Sequence, residues 1–358
     1  MDRRSFLLAL ASIPAWRTGA AHAADFEPVR RGRTLTFPHD HGAHPQFRTE
    51  WWYVTGWLSL PDGSPLGFQA TFFRVRTGIG ESNTSAFSPS QLILAHAAIT
   101  DPKSGRLRHD ERAARVGFQR AGFERGKTGV WVGDWRLEQK DEGYQASVKS
   151  RDFAYTLSLI PHGQIMLNGD AGFSVKAADP RYASYYYSQP QLAVHGSVTI
   201  ADRNHEVTGQ AWLDHEWSSE LLPPQATGWD WVGLNLDDGS ALMAFQMRNS
   251  EELSLWPAAT IRLAKGGTNK LSQDEVAFQP GRRWKSPRTG ITYPVEWSLQ
   301  IGQRTLQLRP LMDDQELDSR RTTGAIYWEG AVRVVEEGRE TGRGYLEITG
   351  YGEKMRIG

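Results

Sequence analysis

The run LSLPDGSPLGFQATFFR (Leu58 to Arg74) recurs about half a chain later as LNLDDGSALMAFQMR (Leu234 to Arg248). In each copy Leu-x-Leu leads into x-Asp-Gly-Ser, then into an apolar run that carries Phe-Gln (Phe68-Gln69, Phe245-Gln246) and, further on, an arginine. Asp-Gly between two apolar alternating runs is a hairpin signal, because both residue types accept the backbone conformations that a tight turn requires. Each copy is preceded by a tryptophan-rich strand, Glu50-Trp51-Trp52-Tyr53 or Trp229-Asp230-Trp231. A unit repeated at half the chain length restricts the fold to two related halves. Short alternating runs broken by turn residues continue throughout, with a further hairpin candidate at Asp202-Arg203-Asn204, and the 36 glycines and 18 prolines supply the turns. The expectation is an all-β chain of two tandem antiparallel barrels, the second beginning near Ala193 to Gly196. Only Asp110 to Ala114 and Gln315 to Ser319 read as locally helical.

At 358 residues each half is long enough to bury its own core. Lysine plus arginine and aspartate plus glutamate balance at 41 each without a basic stripe, which argues against a nucleic-acid partner. Cysteine is absent, so disulfides, thiolate catalysis and cysteine-ligated metals are excluded. Arg3-Arg4, the apolar run to Ile13 and the Ala21-His22-Ala23 cleavage signal read as a twin-arginine export segment over residues 1–23. Nothing later reaches the length of a bilayer-spanning helix. A periplasmic or secreted mature protein without a membrane span is expected, divided into residues 24–194 and 195–358.

The unusual chemistry is concentrated in AWLDHEWSSELLPPQATGWDWVG (Ala211 to Gly233). As a strand, its first part places Trp212, Asp214 and Glu216 on one face and Leu213, His215 and Trp217 on the other. Asp230 follows between Trp229 and Trp231. Carboxylates beside large rings point to a site, or to a lock between the two halves, and the residues alone leave both open. In Thr49 to Leu58, Trp51, Tyr53 and Trp57 share a face that lines either a barrel lumen for an apolar ligand or a packing surface between domains. His39, Asp40, His41 and His44 lie in a Gly/Pro-rich loop whose spacing is not a rigid metal set. That loop is expected to cover a barrel mouth through histidine hydrogen bonds, with no metal. His96, in the apolar Ser90 to Thr100 run, reads as a hydrogen-bonded core residue. The final segment combines rings with acids again, at Tyr327, Trp328, Glu329, Tyr345, Glu347 and Tyr351.

FPHDHGAHPQFRTEWWYVTG, GQAWLDHEWSSE, GWDWVGLNLDDG and YWEGAVRV…GRGYLEITGY together resemble the AttH-like family, which is related to the carotenoid 1,2-hydratases. The resemblance covers most of the mature chain, with the segments in order. It implies a pair of lipocalin-like (calycin-type) barrels, and for hydratase relatives it implies water addition across a terminal carbon–carbon double bond of an acyclic carotenoid, without a cofactor. It also associates the chain with an ABC transporter of the lipoprotein-release type. By position in these segments, Asp214 or Asp230 is the candidate proton donor, His215 or Glu216 the group that orients water, and Trp217, Trp229 and Trp231 the rings that support a cation. Trp51, Tyr53, Trp57, Tyr327 and Trp328 complete the candidate ligand wall.

Two functional classes follow. One is an enzyme that binds an apolar, isoprenoid-like or lipid-like molecule and hydrates it by acid–base chemistry. The other is a periplasmic carrier or accessory that passes such a molecule to or from a transporter without turnover. No Gly-x-Ser-x-Gly elbow is present, which counts against a serine hydrolase of the α/β type.

Overall fold

A computed structural model describes residues 25–85 and 87–355; the expected export segment lies outside them. Among the described residues the chain forms an antiparallel sheet of 13 strands and one of 10, with a small two-stranded ribbon, and each large sheet curls into a nearly closed barrel. Both barrels close by the same rule. The first strand of each half pairs with its hairpin partner on one side and with the last strand of that half on the other. Thr49–Ser59 lies between Pro65–Arg76 and Arg203–Glu220, and Gly228–Leu236 lies between Ala241–Arg248 and Arg339–Ile348.

The repeated Asp-Gly-Ser turns are built alike. Asp62 and Asp238 each accept the backbone N–H of the serine two residues on, at 2.8 Å in both cases. Gly63 (φ 81°) and Gly239 (φ 85°) take the left-handed conformation that this turn demands. Each hairpin also buries an ion pair, Glu50–Arg74 at 2.7 Å and Asp230–Arg248 at 2.8 Å.

Two expectations need correction. The change of sheet falls between Glu220 and Gly228, not at residues 194/195, because Ala183–Ile200 and Arg203–Glu220 form one long hairpin that returns to the Thr49–Ser59 strand. The two segments read as helical are strands: Asp110–Ala114 lies within Arg108–Arg115, paired with Gln91–Thr100, and Glu316–Ser319 pairs with Ala325–Glu336. Each pairs on one side only, an edge position that tolerates polar residues on both faces, and sheet pairing overrides the weak local preference.

Both barrel interiors are filled. Trp52, Phe68, Phe72, Leu213 and Trp217 belong to the first core, and Val232, Leu234, Trp297, Trp328 and Leu346 to the second. A third apolar cluster, with Tyr53, Trp57, Tyr186, Trp212, Trp231 and Phe245, joins the outer faces of the two sheets. Among the described residues a cavity opens in this layer, lined by Tyr53, Tyr186, Trp231 and Phe245.

Candidate active site between the barrels

Strand register assembles the site as rows. On the first sheet His96, Thr71, Tyr53, Asp214 and Ser188 follow one another across five adjacent strands, and Leu94, Phe73, Trp51, Glu216 and Tyr186 form the next row. Facing them on the second sheet is the row Glu329, Glu347, Trp231, Phe245. Side chains of cross-strand partners share a face, so the alternation that fills each barrel with Trp52 or Trp328 turns these residues towards the other barrel. The rows enclose a cavity of about 390 Å³, walled by Trp51, Phe73, Leu94, Trp229, Trp231, Phe245 and Met247 and carrying Asp214, Glu216, Glu329, Glu347, Lys176 and His96.

The carboxylates in this wall differ in their partners. Asp214 accepts from Ser188 Oγ (2.5 Å), Tyr186 OH (2.6 Å) and Trp212 Nε1 (2.6 Å). Burial nevertheless outweighs these donors and pushes its carboxyl up to about 7. Glu216 is held in an ion pair with Lys176 (2.9 Å) and also accepts from Ser184. Glu329 and Glu347 oppose each other directly on neighbouring strands, a placement that ordinary sheet packing avoids. Burial, then the negative field of Glu347, drives Glu329 well above the usual carboxylate range, and burial pushes Glu347 up to about 8. Tyr53 OH donates to Glu329 Oε2 at 3.2 Å, while Glu329 Oε1 is buried without a partner. The site therefore holds carboxylic acids at neutral pH, with a tethered carboxylate and an ammonium beside them.

His96 is set against a different task. Burial lowers it to about 3, so the ring is neutral. Its nitrogens meet Tyr327 OH and Thr322 Oγ1, both at 2.8 Å, and the Thr322 hydroxyl donates a hydrogen bond to Glu111 (2.5 Å). That chain makes Nε2 the donor and Nδ1 the acceptor, fixing Tyr327 as a cavity wall. The expectation of a hydrogen-bonded histidine is met, and the residue also faces the cavity.

The family model described as AttH-like matches residues 28–351. The chain belongs to the AttH-like family. A crystal structure assigned to AttH of Nitrosomonas europaea is similar at 49% identity and a TM-score of 0.85, over 91% of this chain and 100% of that one. The crystal structure of kievitone hydratase from Nectria haematococca shares the fold at a TM-score of 0.68 and 15% identity, covering 91% of this chain and 96% of that one. No curated protein matches by sequence.

In this AttH-like protein the cavity gathers Asp214, Glu216, Trp51, Tyr53, Trp229, Trp231 and Tyr327 from the expected residues. Four others point into the barrels instead. His215 bonds Glu50 (2.9 Å) and Tyr187 (3.2 Å), and Trp217 stacks on His44 with centroids 3.8 Å apart. Asp230 is consumed by Gln246, Arg248 and Tyr351, and Trp328 donates to Asp313 O inside the second core. The period of two in a strand puts each of these on the opposite face from its cavity-lining neighbour. Trp57 lies between the barrels but in a separate polar groove of about 290 Å³, with Nε1 bonded to Gly344 O. Glu329, Glu347, Lys176 and Tyr186 were not among the expected site residues.

The histidine loop forms a buried hydrogen-bond chain at the end of the first barrel, running Asp40, His44, Glu50, His215, Tyr187, His41. Two triads at this end, His39/Asp40/His44 with His39 exposed and the buried His44/Glu50/His215, bring donor atoms within 4.8 Å of one another, close enough to hold a cation. Yet Arg33 and Arg74 already balance Asp40 and Glu50, each at 2.7 Å, and the ring nitrogens of His44 and His215 are bonded. The donor set fits a closed network that pins the loop better than it fits a dication.

Proposed function

We propose that this protein adds water across a carbon–carbon double bond of an apolar, isoprenoid-like molecule held between its two barrels. The observation that carries this is the Glu329–Glu347 pair, two opposed carboxyl groups in an aromatic cavity with Asp214 nearby. Such a pair retains a proton at neutral pH, because two adjacent buried charges cannot both form. Alkene hydration needs that proton. The acid gives it to one alkene carbon, the π electrons form the new C–H bond, and the adjacent carbon becomes a cation. Trp51, Trp229 and Trp231 offer ring faces to the cation, and the newly formed carboxylate offers its charge. A water attacks the cation and returns a proton to the carboxylate, which restores the acid and leaves an alcohol. Asp214, near half-ionised at neutrality, is the base candidate that orients the water, a role first assigned to His215 or Glu216. At roughly 30 Å³ per water-sized group, the cavity takes about a dozen non-hydrogen atoms, enough for the branched end of an isoprenoid chain.

Kievitone hydratase, a hydratase by name on the same fold, supports the reaction class. Export by the Arg3-Arg4 segment, and service to an ABC transporter, remain proposals beside it. In the carrier reading the same apolar walls hold a lipophile without conversion. Mass spectrometry of organic extracts from the purified protein, followed by incubation with acyclic isoprenoid alkenes, separates the two. Hydration is supported if Asp214→Asn and Glu347→Gln retain the extracted ligand and lose conversion. Ligand retention with no conversion of any alkene by the unaltered protein would leave the carrier.

A further inference from the structure

Ile79, Phe87, Phe118 and Leu253 are more than half exposed, at 63, 66, 54 and 56%. Single exposed apolar residues are ordinary; these leave the barrels at one common end. Val75 and Leu92 are cross-strand partners in the cavity wall, and the loop that joins their strands carries Ile79 and Phe87. Arg115 is the partner of Leu92 on the next strand, so its side chain lies on the cavity face one strand beyond the rim. The turn after Arg115 carries Phe118. Trp229 and Met247 line the cavity on the second barrel, and the loop that follows Arg248 carries Leu253 at that same end.

The exposed rings are organised. Phe87 and Phe118 come from different loops, yet their centroids are 5.0 Å apart, and the Arg115 guanidinium sits 4.9 and 5.4 Å from them. Around Phe87 and Phe118 the patch is also cationic, whereas the Leu253 loop carries Glu251 and Glu252, the latter paired with Arg283. Glu81 neutralises Arg76 at 2.6 Å, while among the described residues no carboxylate pairs with the exposed Arg115 or Arg120. Rings that carry cations on their faces suit the boundary of a bilayer, where the ring meets acyl chains and the guanidinium meets phosphate.

We propose that this end of the protein docks on an anionic phospholipid surface, with Phe87, Phe118 and Ile79 entering the interface and Arg115 and Arg120 meeting lipid phosphates. The rim of the cavity then abuts the bilayer, so an apolar ligand passes between the two with little exposure to water. The docking rests on this surface alone and stands apart from the chemistry proposed for the cavity.

Flotation of the purified protein with phosphatidylcholine vesicles, with and without phosphatidylglycerol, tests it. The protein is expected to float with the phosphatidylglycerol vesicles and to be released by salt, which screens the arginines. Phe87→Ser with Phe118→Ser should weaken binding by at least about tenfold per ring. Arg115→Glu should remove the preference for phosphatidylglycerol. Leu263→Ser is the control, since Leu263 is 43% exposed but directly follows the Ser254–Arg262 strand, whose last residue pairs with Ala241 at the other end of the barrel. Melting temperatures unchanged from the unaltered protein confirm that the variants fold. Absence of flotation at low salt overturns the proposal, as does flotation of the double variant equal to that of the unaltered protein. So does sedimentation showing that the patch joins two copies of the chain, if neither form binds vesicles.

Discussion

Glu347→Gln is expected to make the protein more stable at neutral pH while destroying its chemistry. Unfolded, a glutamate releases its proton near 4.5; folded, Glu347 holds it up to about 8. Between those values the folded state binds more protons than the unfolded state, so this residue lowers stability progressively as pH rises through the window. At pH 7 the cost has accumulated over two and a half pH units, which at about 1.4 kcal/mol per unit is about 3 kcal/mol. Glutamine keeps the shape and removes the charge, and it also relieves Glu329 of a repulsive neighbour. For a chain of this size the gain corresponds to about 5 °C in melting temperature. Calorimetric scans of both proteins at pH 4.5 and pH 7 provide the assay. The two should melt together at the lower pH and diverge at the higher, with the variant above. A melting difference that is the same at both pH values would refute the reasoning, because the destabilisation would then owe nothing to a held proton.

Other consequences are independent of that one. Asp214→Asn should leave ligand content unchanged and lower hydration by about a hundredfold or more, as measured by product formation under saturating substrate. Because Asp214 is raised to about 7 and Glu347 to about 8, turnover should rise as pH passes through about 7 and Asp214 ionises to act as base, then fall as pH passes through about 8 and the acid is lost, a bell that a pH–rate profile reads directly. Arg74→Met leaves Glu50 buried without its ion-pair partner, and should cost about 3–5 kcal/mol in urea denaturation without altering the cavity residues. Gly344→Ala brings a methyl to 2.1 Å from Gly233 O, where the second barrel's strands meet the first, and should destabilise strongly while Gly290→Ala, with open space beside it, acts only through its positive φ of 76°.

The hairpins, the two halves and the all-β class were legible because Asp-Gly-Ser turns and a period of two are local signals. The division between halves was not, since the hairpin that carries Asp214 is tied to the first barrel by long-range pairings, Arg203–Glu220 with Thr49–Ser59 on one side and Ala183–Ile200 with Phe153–Ile160 on the other. Local alternation separated the Asp214 face from the His215 face but could not say which one looked into a barrel: both faces of the Thr49–Ser59 strand carry tryptophan, Trp51 outward and Trp52 inward. The acid pair was hidden by a bulge. The turn at Glu337-Gly338 sets Glu336 opposite Arg339, and counting back from there puts Leu346 opposite Glu329. A register shift between Val334 and Val335 moves Glu347 into that place, and a one-residue shift decides which face a side chain occupies. Lys176 reaches Glu216 from a segment with no motif of its own.

The central claim is that a protonated carboxyl in the inter-barrel cavity delivers its proton to an alkene and that water completes the product. Incubation with an acyclic isoprenoid alkene in ¹⁸O-labelled deuterium oxide, followed by mass spectrometry, tests this directly. The expected product carries one ¹⁸O and one carbon-bound deuterium, and its formation is lost in Glu347→Gln and Asp214→Asn. Unlabelled alkene recovered intact, or labelled alcohol formed equally well by both variants, would contradict it.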